Sequence, residues 1–123
     1  MAIESVRGRA AAPIDCPALL SRCIGKTNLL RRVLEAFVSQ VSADLEQLEV
    51  AIAKSDITEI TRLAHRMRGT SLSVSATEFA VTAQALEEVA ASTSIEEVRR
   101  LTVQLQDEHR RIASFVASPE SAS

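Results

Sequence analysis

Residues 28–53 read NLLRRVLEAFVSQVSADLEQLEVAIA, and the apolar positions in this stretch decide the fold. Leu30, Leu34, Phe37, Val41, Leu45, Leu48 and Ile52 follow one another at steps of three or four. On an α-helix those steps collect into a single stripe. The stretch contains neither Gly nor Pro, and its Ala, Leu, Glu, Arg and Gln residues favour helix. A helix this long with one apolar face has to be covered by other helices.

Those helices are legible on both sides. KSDITEI, residues 54–60, restarts the pattern with Ser55 or Asp56 as cap. Ile57, Ile60, Ala64, Met67 and Ser71 then mark one face, with Leu63 at its edge. SVSATEF, residues 73–79, is a second boundary. Ser75 followed three residues later by Glu78 has the capping-box form. Ala76, Phe79, Ala83, Leu86 and Ala90 make the next stripe. Ser94 with Glu97 repeats the box, and Val98, Leu101, Leu105, Ile112 and Val116 make the last. Upstream, IDCPALLSRC, residues 14–23, predicts a short helix that Asp15 caps, that Pro17 suits at its first turn, and that Gly25 breaks. The expected fold is all-α: an antiparallel up-down-up-down four-helix bundle over residues 14–116, with a short additional N-terminal helix. Residues 1–13 and 117–123 are expected to be flexible ends.

Composition narrows the function. At 123 residues the chain is one domain, and with 2% aromatics its core has to be aliphatic. A net charge of −2 with interspersed signs argues against a nucleic-acid binder. No apolar run approaches the ~18 residues of a membrane span, and the N-terminus lacks the apolar stretch of a secretory signal. Cys16 and Cys23 read as packing residues. Two unpaired thiols fit a reducing cytoplasm better than a disulfide or a metal site. The initial Met and short tail favour a free-standing protein.

The chemistry concentrates in LAHRMRGTSLSVSATE, residues 63–78. A lone helical histidine is ordinarily a core residue, but His65 falls roughly 150° from the centre of its helix's apolar face and so points to water. Arg62 and Arg68 lie three residues to either side. Gly69 also points outward, and glycine within a helix costs about 1 kcal/mol relative to alanine. Away from the apolar stripe, that cost fits close approach by something outside the bundle. Thr58, Arg62, His65, Gly69 and Leu72 thus make one exposed strip, smooth, partly apolar and locally basic. A neutral imidazole is nucleophilic at one ring nitrogen, and nearby arginines would counter the charge of an arriving phosphoryl group. The chain has no Gly-rich phosphate loop and no kinase-type acid–amide pair for magnesium, so it could not take that group from ATP unaided. His109 lies near the apolar stripe of the last helix and reads as a half-buried residue bonded to a neighbour.

At these residues the sequence resembles the histidine-containing phosphotransfer (HPt) family. Its pattern is roughly Ala-His-x-Leu-Lys-Gly, then small residues, a Gly-Ala, and a Leu-Glu about ten residues later. Here AHRMRGTSLSVSA, residues 64–76, is followed by ALEE, residues 85–88. IDCPALLSRCIGKTNLLRRVLEAF, residues 14–37, is similar to the opening of such domains. The resemblance implies a four-helix bundle whose exposed histidine shuttles phosphoryl groups between receiver-domain aspartates. It makes His65 the phosphoacceptor and Gly69 the point of close approach. Arg68 stands where lysine is usual and keeps the charge. Ser75 stands where glycine is usual, and its expected capping role would preserve the turn. Partners would be receivers of response regulators or of a hybrid histidine kinase, meeting a monomer without cofactor, any Mg2+ residing on the receiver. Two other readings stand beside this one: a phosphorylation-silent adaptor that binds a receiver without transfer, and an unrelated structural bundle that associates through Leu72 and its neighbours.

Overall fold

The computed structural model describes residues 13–23, 26–92 and 94–117. The flexible ends expected at residues 1–13 and 117–123, all but Pro13 and Ala117, and the break expected at Gly25 lie outside the described residues. Among the described residues five helices follow in order: α1 Cys16–Arg22, α2 Thr27–Ala53, α3 Ile57–Ser73, α4 Thr77–Ala90 and α5 Ile95–Ala117. The four long ones form the antiparallel bundle. α2 and α4 each pack against both α3 and α5. All seven stripe residues of α2 are buried, as are the stripes of α4 and α5. Phe37 and Phe79 meet edge to face with centroids 6.1 Å apart and tie α2 to α4 through the core.

α3 and α4 make the most extensive pairing, and both carry small buried residues, Ala64 on α3 and Ala80 and Ala83 on α4, of a size that permits close packing. Two placements are corrected. Leu63, expected at the edge, is fully buried, whereas Ile57, expected on the apolar face, is 48% exposed at the first position of α3.

The helix ends explain the short links. Asp15 accepts from the Ala18 N–H, and its own N–H donates to the Ser75 carbonyl. Ile14, Leu19 and Cys23 are thereby laid over the α3–α4 end of the bundle. Cys16 packs beside them, and both thiols are free. Of the two candidate caps before α3, Asp56 takes the role, accepting from the Glu59 N–H at 3.1 Å.

Ser55 and Ser75 do something else. Both have positive φ, 54° and 61°. Asp56 N–H donates to Ala51 O and Ser55 N–H to Ile52 O; Ala76 N–H donates to Ser71 O and Ser75 N–H to Leu72 O. Each is the Schellman closure of a helix, with serine in the left-handed position that glycine usually takes. The capping box expected at Ser75 and Glu78 is therefore not formed. Ala76 occupies the cap position of α4 without a side-chain bond, and Glu78 faces Arg111 at 3.6 Å instead. At the α5 start half a box forms: the Ser94 hydroxyl accepts from the Glu97 N–H, but the Glu97 carboxylate turns to Arg100. Ser75→Gly is expected to stabilise the bundle by up to about 1 kcal/mol, by removing the left-handed penalty of a side-chain-bearing residue. Urea denaturation checks it; a loss would mean that the buried serine side chain contributes more than its backbone costs.

One buried carboxylate gives the bundle a pH dependence. Glu108 of α5 lies in the seam with α4, its Oε2 3.0 Å from the Thr82 hydroxyl and 3.2 Å from Gln104 Nε2. Its Oε1 is buried without a partner. Burial pushes this carboxyl above the ordinary carboxylate range, against the downward pull of the Gln104 and Thr82 hydrogen bonds. A raised folded-state value contributes stability below the ordinary carboxylate pKa, and that contribution is lost as pH rises through the raised value. Glu108→Gln is therefore expected to melt above the wild type at neutral pH, the gap closing as pH falls into the carboxylate range. A gap that stays constant with pH would show that Glu108 does not titrate in this way.

Candidate functional site

His65 sits in the middle of α3 with Ile60, Leu63, Ala64 and Met67 buried on the opposite side. Its side chain is 63% exposed. Nδ1 lies 3.0 Å from Oε2 of Glu87 on α4. A carboxylate only accepts, so Nδ1 carries a proton and donates, and in the neutral ring the lone pair is then on Nε2. The close α3–α4 seam makes this bond: it brings Glu87, half-buried and one residue beyond the core Leu86, against the ring.

The two arginines three residues to either side of His65 are engaged, each in its own way. Arg62 donates from Nε and Nη2 to both oxygens of Glu59, at 2.8 and 2.5 Å. That hydrogen bonding holds the Glu59 carboxyl below its usual range. Arg68 turns toward α4, where its Nε is 3.5 Å from Glu87 Oε1. A single carboxylate therefore bridges His65 and Arg68. Arg66, which follows the histidine, points to the other flank and binds the fully buried Asp44 of α2 at 2.5 Å, while Gln40 donates to the same oxygen.

Gly69 lies outward on the same row, and a Cβ placed on it meets nothing within 4 Å. Thr58 is exposed, and Leu72 is 45% exposed one turn beyond the glycine. Ile57, Thr58, Thr61, Arg62, His65 and Glu87 line a shallow open depression. The structure thus gathers Thr58, Arg62, His65, Gly69 and Leu72 on one face as the sequence predicts, and sets Arg68 at its α4 edge.

The sequence profile of the Hpt domain matches residues 32–115, from the second turn of α2 to near the end of α5. The chain belongs to the Hpt domain family. This is a family of phosphotransfer modules in two-component signalling, phosphocarriers and not kinases. A crystal structure of histidine-containing phosphotransfer protein B from Pseudomonas aeruginosa PAO1 superimposes with a TM-score of 0.78 at 23% identity, over 86% of this chain and 92% of that one. At that identity the likeness speaks for the fold. No curated protein sequence matches the chain.

Sequence reasoning missed the acids of this Hpt domain. Glu87 lies inside the ALEE segment, and nothing in its spacing from His65 marks it as a partner of the ring. Asp44 sits at the margin of the α2 stripe, where an acid among leucines was a readable sign of a buried pair. Among the described residues no group of three or more His, Cys, Asp or Glu side chains is placed to hold a metal ion. No helix there is long and apolar enough to cross a membrane. His109 is half-buried and donates from Nε2 to the Val38 carbonyl at 3.0 Å, the packing role expected of it.

Proposed function

We propose that this domain is a phosphorelay intermediate, accepting a phosphoryl group on His65 from a receiver-domain aspartate and passing it to the aspartate of another receiver. The observation that carries the reading is the ring itself: exposed, with Nδ1 occupied by Glu87 and Nε2 left as the nucleophile. Nε2 attacks phosphorus in line with the aspartyl oxygen, which leaves as carboxylate. Mg2+ bound by the receiver would neutralise the transferring group. On this chain Arg68 and Arg62 are the cations within the neighbourhood, and either would support the arriving charge by exchanging a carboxylate for it. Thr58, Gly69 and Leu72 form the docking strip, the glycine giving backbone-close approach and the leucine an apolar contact. The domain acts as a cytoplasmic monomer with no ATP site of its own.

Transfer of radiolabel from phosphorylated receivers of the same organism tests this. Label arriving on the domain and leaving to a second receiver is the expected result. Binding without label would make it an adaptor, and neither would leave only a structural bundle.

A further inference from the structure

We propose that the buried Arg66–Asp44 pair is a positioning device for the transfer step: it fixes the rotation of α3 about its own axis, and with it the line along which His65 presents Nε2. This rests on the carrier reading above. Neither residue touches the phosphoryl group; both act through the helix that carries the histidine.

The pair is poorly built for stability. Asp44 is fully buried on α2, and Arg66 and Gln40 both donate to its Oδ1. Its Oδ2 is buried with no partner, and so is Arg66 Nε. A buried carboxylate satisfied at one oxygen alone costs more than apolar side chains of the same volume would. What such a pair supplies instead is direction. The side chains that α3 buries opposite His65, Ile60, Leu63, Ala64 and Met67, are all apolar. Apolar burial is non-directional, and methionine in particular adapts to the space it is offered. The Arg66 guanidinium, by contrast, holds Asp44 at 2.5 Å and loses that bond when the helix turns.

The place of Arg66 in the chain gives the bond its leverage. It directly follows His65, about 100° further around the helix. A turn of α3 that draws Arg66 from Asp44 swings His65 through the same angle. At about 6 Å from the helix axis, a turn of about 10° displaces the ring by about 1 Å. A misplacement of about 1 Å can cost about a hundredfold in rate where attack has to be in line. The Glu87 contact orients the ring on its helix, and the Arg66 bond orients the helix on the bundle.

Two variants separate direction from stability. Asp44→Leu/Arg66→Met replaces the pair with apolar side chains of similar size and should melt at or above the wild type. Its transfer rate at saturating phosphorylated receiver should nevertheless fall about tenfold or more. Labelling by phosphoramidate, a small donor that needs no docked geometry, should stay at the wild-type rate. Asp44→Asn keeps an oxygen for Arg66 to donate to, and as the conservative replacement it should hold transfer close to the wild-type rate even where it melts lower. Residual dipolar couplings of the α3 amides read the helix rotation itself. Their periodic pattern should shift or flatten in the double variant and match the wild type in Asp44→Asn. Unchanged couplings or wild-type transfer in the double variant would overturn the proposal, and so would transfer that follows melting temperature across the set. Phosphoramidate labelling lost in step with transfer would place the defect in the ring's reactivity and overturn it too. Should the double variant not fold, Arg66→Met alone removes the same bond and decides the matter by the same readings. A wild type that no phosphorylated receiver labels would overturn the carrier reading and this proposal with it.

Discussion

His65→Gln is expected to abolish receiver-dependent labelling completely while leaving helicity and melting within about 0.5 kcal/mol of the wild type. The side chain is 63% exposed, and its hydrogen bond to Glu87 lies at the surface, so its removal opens no cavity and strands no buried group. The label on the wild type should be acid-labile and alkali-stable, as a phosphoramidate is and a phosphoserine is not. His109→Gln is the matched control. It should label normally, and should cost about 1 kcal/mol of stability where the bond to Val38 O is lost. Label that persists in His65→Gln would sink the assignment.

Charge and bulk on the docking strip should be nearly as damaging, by a different route. Space around the Gly69 position is open in the free domain, so Gly69→Ala should gain up to about 1 kcal/mol of helix stability. Gly69→Glu should remain folded and lose both binding and transfer, because its volume meets the receiver's surface and its charge faces an acidic pocket. Leu72→Glu should cost about 2 kcal/mol or more of binding, through a lost apolar contact and a stranded charge. Calorimetric titration with a receiver, beside thermal melts, separates the two quantities. Unfolding of Gly69→Glu would make the glycine a packing residue and contradict the outward placement of this face.

The helices and the exposed row were legible because both depend on periodicity. Steps of three and four placed Leu30 through Ile52 in the core, and the same angular count put His65, Gly69 and Leu72 outside. What escaped was conformation at single residues and contact between helices. Ser75 matches a capping box by spacing, yet the left-handed backbone that ends α3 claims it first. The usual glycine of the resembling family was the sign of that geometry, since glycine alone adopts it without penalty. Glu87 and Asp44 depend on which helix faces which, and at what distance. A carboxylate 22 residues from His65 becomes its neighbour only because α4 packs back along α3.

The ties on either side of α3 have a consequence for recognition. Arg66 fastens the helix to α2 through Asp44, and the Glu87 bridge fastens it to α4 through the two residues that flank Arg66 and Met67. Ties on both flanks oppose rolling of the helix about its axis. On the carrier reading, different receivers would meet the same braced face, and this side would surrender little conformational entropy on docking. Discrimination among partners would then reside in how well each of them conforms to that shape.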